Sequence, residues 1–220
     1  MKGTPLTEVS FNYVVDLFAK NESALLEQMT KRAKAAEVPM IMISEEQAKF
    51  VGFFLKAIRA KRVLDVGTLF GYSAAVMSRA MPPDSLVLSL EFENKHADVA
   101  EANFRELGIT NVEVLRGPAL DQMKQMPANF FDFIMIDADK INYIHYLNEA
   151  LRIIRPGGVI AGDNALAWGK ITNTNLPKAD PDYISVTAVQ AFNAAFAANN
   201  AIFGIIVPVG DGLAMGVVEK

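Results

Sequence analysis

Two apolar runs in this chain end in groups that can bind a metal ion or move a proton. Phe131 to Ile136, apolar apart from Asp132, runs into Asp137-Ala138-Asp139-Lys140, and Gly158 to Gly162 runs into Asp163-Asn164. Asp137, Asp163 and Asn164 are three hard oxygen donors. If brought together they suit a small divalent cation, Mg2+ first and Mn2+ as its close competitor, with water or substrate in the remaining positions. The plainer alternative is that Asp163-Asn164 caps a turn and Asp137 caps a helix.

A third apolar run leads into Asp65-Val66-Gly67-Thr68-Leu69-Phe70-Gly71-Tyr72-Ser73. A loop built for a pyrophosphate would read G-x-G-x-x-G. Here the glycines stand four apart and the middle one is missing. Gly67 and Gly71 still allow a tight turn and a close approach by a ligand, and Asp65 can accept a hydrogen bond from an ammonium group. S-adenosylmethionine fits such a loop, because it has an amino-acid end and a sulfonium but no phosphate. Glu91 closes the next apolar run, where a carboxylate can take both ribose hydroxyls of an adenosine. That geometry is shared with NAD, so it points to adenosine without choosing the cofactor. Gly117-Pro118-Ala119 would bring backbone groups to an adenine.

The elements that must position these residues follow from the hydrophobic pattern. Residues 7-60 show helical spacing, in Val9, Tyr13, Leu17, then Leu25, Leu26, Met29, then Phe50, Phe54, Leu55, Ile58. Ser44 and Gln47 have the spacing of a capping box. These residues are predicted to form an N-terminal helical cap. From residue 61 short apolar runs alternate with helical stretches: strands at Arg62 to Val66, Leu86 to Glu91, Val112 to Arg116, Phe131 to Asp137 and Gly158 to Asp163, with helices from Tyr72 to Met81, from Asn94 to Leu107, and one ending at Ile153. Repeated strand-helix units give a parallel sheet covered on both faces. Ile202 to Val207 and Leu213 to Val218 are joined by only Pro208 to Gly212, too short for a crossover helix, so they pair antiparallel. The expected class is α/β: a Rossmann-like, seven-stranded, mostly parallel sheet with an antiparallel C-terminal strand. One domain spans 1-220, with the cap at 1-60 and the core at 61-220. Ligands of such sheets bind at the carboxyl ends of the strands, where all the residues above fall.

Composition removes several classes. The 220 residues contain no cysteine and two histidines, His96 and His145, so thiolate zinc, iron–sulfur clusters, disulfides and a polyhistidine metal site are excluded. A net charge of -4 argues against nucleic acid as a partner. No apolar stretch approaches the ~20 residues of a membrane span. Met1 to Ser10 lacks a basic region followed by an apolar run. A cytoplasmic protein is expected.

Taken together, these segments resemble the class I S-adenosylmethionine-dependent, cation-dependent O-methyltransferases, which include catechol and caffeoyl-CoA O-methyltransferases. The likeness covers nearly the whole chain. It is carried by Ile41-Met42-Ile43-Ser44-Glu45-Glu46-Gln47, Val63-Leu64-Asp65-Val66-Gly67-Thr68 with Gly71-Tyr72-Ser73, Gly117-Pro118-Ala119-Leu120, Ile136-Asp137-Ala138-Asp139-Lys140 with Tyr143, Arg155-Pro156-Gly157-Gly158, Asp163-Asn164 and Asp211-Gly212-Leu213. Each piece is weak alone; their order and spacing are specific. The resemblance implies that Ile43, Asp65, Gly67, Thr68, Ser73, Glu91, Ala119 and Asp137 line the S-adenosylmethionine site. It implies that Asp137, Asp163 and Asn164 hold the cation and that Lys140 is the general base. Met42, Asp139, Lys140 and Trp168 are the expected contacts to substrate.

The expected reaction is methyl transfer to one hydroxyl of a vicinal diphenol by a homodimer. Several departures from the family pattern matter. Asp65 stands where many members have Glu, Glu45 replaces a usual proline, and Ala167-Trp168-Gly169 is displaced by one from the usual arrangement. Asn199 to Val209 carries no basic residue, which weakens a coenzyme A thioester as substrate. An NAD-dependent oxidoreductase and a non-catalytic S-adenosylmethionine-binding protein are the alternatives. The first lacks its central glycine, and the second has no need of Asp137, Asp163 and Asn164.

Overall fold

In the computed structural model, which describes residues 7–219, the apolar runs form one seven-stranded sheet. Its strands are β1 (Arg62–Val66), β2 (Leu86–Glu91), β3 (Val112–Arg116), β4 (Phe131–Ile136), β5 (Ile154–Gly162), β6 (Ile202–Val207) and β7 (Leu213–Val218), in the order β3-β2-β1-β4-β5-β7-β6. The pairs β1–β2, β1–β4, β2–β3 and β4–β5 are parallel, and β7 runs antiparallel to both β5 and β6. The short Pro208–Gly212 link forces this reversal and leaves β7 between two strands that precede it in the chain. Strand order turns back at β1 and β4, so their carboxyl ends open the crevice in which a ligand is expected.

Helices cover both faces, as the expected class requires. They are α1 (Glu8–Phe18), α2 (Lys20–Ala35), α3 (Glu45–Ile58), α4 (Tyr72–Ala80), α5 (Asn94–Glu106), α6 (Ala119–Gln125), α7 (Tyr143–Ile153) and α8 (Tyr183–Ala198). Period-two alternation along β1 and β4 divides the core into two layers. Val63, Phe133 and Met135 pack with Met29 of α2 and Val51 and Leu55 of α3, whereas Leu64, Ile134 and Ile136 pack with Tyr143 and Leu147 of α7 and Phe192 of α8. The helical cap therefore closes one face of the sheet.

The structure changes some predicted boundaries. β5 begins at Ile154, four residues before the expected start, and β4 and β5 end one residue short of Asp137 and Asp163. Both acids thus stand just beyond the sheet. Two helices, α6 and α8, have no counterpart in the sequence reading. The expected capping box is also corrected: Ser44 starts α3 without a side-chain cap bond, and Gln47 points elsewhere. Among the described residues no helix is long and apolar enough to cross a membrane. The reading of Met1 to Ser10 as free of a targeting signal lies, for residues 1–6, outside the described residues.

Candidate active site

A cleft of about 940 Å³ opens where the carboxyl ends of β1 and β4 diverge. Its near wall is the loop after β1. Gly67 has φ +112, and any Cβ there would collide with the carbonyl oxygen of Asp137, so only glycine lets the first and fourth strand ends approach this closely. Gly71, with φ +90, starts α4 against the ring of Phe104. The backbone N–H groups of Gly67 and Thr68 both donate to Leu90 O at 3.1 Å, which locks the loop onto β2.

Most residues expected at a cofactor face this cleft. The cap supplies Ile43, the first loop Gly67, Thr68 and Ser73, the end of β2 Glu91, the start of α6 Ala119 and the β4 end Asp137, and the residues expected at substrate, Met42, Asp139, Lys140 and Trp168, line it too. Asp65 does not line it. The residue is fully buried behind the wall, where Oδ2 accepts from Ser73 Oγ (3.0 Å) and Ser89 Oγ (2.8 Å). With the hydrogen of Ser89 so engaged, Thr68 donates to Ser89 at 2.7 Å, and the Thr68 hydroxyl is turned from the cleft into this network. Loss of hydration pushes the Asp65 carboxyl up to about 7, against the lowering hydrogen bonds from Ser89 and Ser73, and the charges of Asp137 and Glu91 raise it further. Its place is that of a prop for the loop. Glu91 Oε2 accepts from Leu69 N (2.8 Å) and Oε1 from Glu93 N (2.9 Å), so the carboxylate is held at the strand end. His96 Nδ1 lies 3.5 Å from Oε1 and also lines the cleft; no pattern in the sequence singled it out.

The far wall carries the acid–base groups. Ile136 and Gly162 are partners in the β4–β5 register, so Asp137 and Asp163 emerge side by side one residue later. Their own N–H groups are tied to Val66 O and Ile136 O, each at 2.9 Å. Lys140 Nζ lies 3.1 Å from Asp137 Oδ1 and 2.6 Å from the hydroxyl oxygen of buried Tyr143, and its side chain is only 10% exposed. Tyr143 in turn donates toward the carbonyls of Ile136 and Asp163. Asp139 is turned away from Lys140: Tyr146 Oη donates to its Oδ1 at 2.5 Å and Asn142 Nδ2 to its Oδ2 at 2.6 Å.

Asp163 is buried, and Gln47 Nε2 of α3 donates to its Oδ1 at 2.5 Å. Burial first, and then the neighbouring charge of Asp137, push the Asp163 carboxyl up to about 7, opposed by the Asn164 backbone, Gln47 and Lys140. Asp137 and Asn164 line the cleft while Asp163 lies buried beside Asp137, and the Asp137 charge that raises the Asp163 carboxyl is one a divalent cation would offset, so the three are an all-oxygen set of candidate donors. The residues therefore fit Mg2+ or Mn2+. Among the described residues no group of three or more His, Cys, Asp or Glu side chains could hold a metal ion, so the set relies on the amide of Asn164 as its third donor.

The loop after β5 closes the cleft with Asn164 and Trp168. Its backbone is held in the left-handed region at three non-glycine residues, Asn164 (φ +57), Ala167 (φ +48) and Trp168 (φ +53). Asp211, on the turn between β6 and β7, accepts from Trp168 N at 2.9 and 3.1 Å and from Asn164 Nδ2 at 3.3 Å. The sequence reading gave no role to Gln47 beyond a cap, and none to Asp211; their one signal was membership of motifs in the N-terminal segment and the last turn.

A family model described as O-methyltransferase matches residues 16–218. A catechol O-methyltransferase of Niastella koreensis is 37% identical over 217 residues, covering 94% of this chain and 96% of its own. A caffeoyl-CoA O-methyltransferase of Zea mays is 30% identical over 186 residues, covering 80% and 69%. Among solved structures, an O-methyltransferase from Bacillus cereus in complex with SAH superposes with a TM-score of 0.83 at 33% identity, covering 94% of this chain and 96% of that one.

Proposed function

The chain belongs to the O-methyltransferase family, and from that premise we propose that it moves the methyl group of S-adenosylmethionine to one hydroxyl of a vicinal diphenol, using Mg2+ or Mn2+. The observation that carries this reading is the position of Asp137. It stands at the end of β4, facing the cleft, beside Asp163 and 3.1 Å from Lys140 Nζ. The names of the Niastella and maize relatives support diphenol acceptors, and the SAH in the Bacillus cereus structure supports the methyl donor. The absence of basic residues from Asn199 to Val209 favours a small catechol over a coenzyme A thioester.

The chain's own residues supply recognition, alignment and a proton acceptor. Glu91, fixed by two backbone N–H groups, presents its free lone pairs to the ribose hydroxyls. Ile43 and Ala119 face the cleft as walls for the rest of the nucleoside. Asp137, Asp163 and Asn164 would hold the cation, which supplies a lowered proton affinity and a fixed position for the two acceptor oxygens. Lys140 is the acceptor, at Nζ, for the proton of the attacking hydroxyl; Asp137 and Tyr143 keep that nitrogen in place. As the phenolate attacks the methyl carbon the sulfonium charge disappears, so a dry apolar lining lowers the barrier, and Met42 and Trp168 are placed to exclude water.

A homodimer is part of this reading. No residue of α1 is buried, and Val9, Tyr13, Leu17 and Phe18 lie on its exposed surface, an apolar set that a second copy would cover. Light scattering after size exclusion gives the mass directly. The deciding experiment for function is turnover of a catechol panel with S-adenosylmethionine, with and without excess chelator, reading product regiochemistry. No methylated product from any diphenol in the presence of Mg2+ would sink the reading.

A further inference from the structure

We propose that Asp211 is the positioning residue of the far wall, holding the amide of Asn164 and the backbone of Trp168 with one carboxylate. The proposal rests on the cation reading above for its Asn164 arm and is independent of it for its Trp168 arm.

Asp211 lies 47 residues from Asn164, on the tight turn between β6 and β7, and makes no predicted contact with donor or acceptor. Its Oδ2 receives both the Asn164 side-chain N–H (3.3 Å) and the Trp168 backbone N–H (2.9 Å). An amide that gives its nitrogen to one side presents its oxygen to the other. Asp211 thereby fixes which end of Asn164 faces Asp137 and Asp163. A neutral apolar residue at 211 would leave the Asn164 amide free to rotate and offer its NH2, which cannot ligate a cation. The second hydrogen bond acts on strain. Trp168 is a non-glycine residue at φ +53, directly after Ala167 at φ +48, a pair that costs conformational energy unless held. The peptide N–H of Trp168 is gripped by both Asp211 oxygens. The backbone of this segment is pinned to the same turn, with Ala165 N donating to Gly212 O and Leu166 N to Asp211 O, each at 2.9 Å. The indole stays half exposed at the mouth of the cleft because the turn holds its backbone there.

Trp168 is the only tryptophan in the chain, so its fluorescence reads this arm alone, without metal or turnover. In Asp211→Ala, acrylamide quenching should rise toward that of a free indole, and Mn2+ affinity, followed by electron paramagnetic resonance, should fall about ten-fold or more. SAH affinity by calorimetry should stay unchanged. Asp211→Asn keeps a carbonyl oxygen that can occupy the Oδ2 position, and it should restore both readings toward the parent; a general loss of packing would not be rescued in this way. Asn164→Gly, compatible with the left-handed backbone, should lose Mn2+ affinity and leave Trp168 quenching untouched. Unchanged quenching in Asp211→Ala, or a loss of SAH affinity as large as that of Mn2+, overturns the proposal. If Asp211→Ala does not fold, amide exchange at Trp168 in the parent decides: strong protection supports the bond to Asp211, and exchange at the rate of an open turn overturns it. If the parent itself binds no Mn2+, the cation reading fails and the quenching still decides the role of Asp211.

Discussion

Gln47 Nε2 donates to Asp163 Oδ1 at 2.5 Å, joining the helical cap to the end of β5 across 116 positions of sequence. A buried carboxylate beside a second one needs every donor it can get, and here one comes from a helix outside the strand-helix core. The cap is thereby part of the candidate cation site.

Replacing Gln47 by Leu should leave Asp163 Oδ1 buried without that donor, at a cost of about 1–3 kcal/mol. Urea unfolding should show the midpoint falling at constant slope. An unchanged midpoint would mean that the bond contributes nothing net.

Lys140→Met should retain SAH and Mn2+ binding yet turn over about 10²–10⁴-fold more slowly, the usual worth of a general base. Calorimetry and single-turnover kinetics separate the two effects. A variant as fast as the parent removes Lys140 from proton transfer.

Excess chelator should abolish turnover and Mg2+ should restore it, and Asp137→Ala should lose both cation binding and activity. Full activity of the parent in chelator would reject Asp137, Asp163 and Asn164 as ligands.

Two buried acids should tilt stability in opposite directions with pH. The Asp65 carboxyl, raised from 3.8 to about 7 chiefly by burial, favours the folded state while protonated. Its contribution is complete below the unfolded value and is lost as pH rises toward 7, at up to about 1.4 kcal/mol per pH unit. Asp65→Asn should flatten that decline. Burial also opposes the charge of Asp132, but Arg155 Nε (2.6 Å) and the backbone N–H groups of Lys61 and Arg62 (each 2.8 Å) outweigh it and hold the carboxyl below its ordinary value. Its contribution is present above the unfolded value and is lost as pH falls through the folded one, so Asp132→Asn should weaken the protein at pH 7 and blunt its acid denaturation. Urea midpoints of parent and variants from pH 3 to 8 check both signs; parallel profiles would refute them.

The strands were legible because a parallel sheet covered on both faces demands near-continuous apolar runs, and Phe131 to Ile136, broken only by Asp132, is one. The same logic places Asp137, Asp163 and Glu91 at strand ends from the sequence alone. It could not give depth. Asp65 alternates with its neighbours as a strand residue should, and only the packing of Ser73 and Ser89 around it reveals that it faces inward. α8 escaped notice because alanines at 188, 191, 194, 195, 197 and 198 surround its buried stripe of Val186, Val189, Phe192 and Phe196, so its two faces contrast little. Gln47 was misread because Ser-x-x-Gln is a local signature of a helix start, whereas its actual partner is remote in sequence.

The placement of β7 between β5 and β6 also bears on the order in which the molecule is assembled. During synthesis β6 emerges with no strand to pair with until residues 213–218 follow, since β7 is its sole neighbour. The hairpin must then dock as a unit on a waiting β5, carrying Asp211 into register with the loop beyond it. A nascent chain stopped before Leu213 would have the five strands β1 to β5 that can pair, an unpaired β6, and a far wall without its anchor. The far wall gains its hold on Trp168 and Asn164 only after the sheet has received its latest-made interior strand.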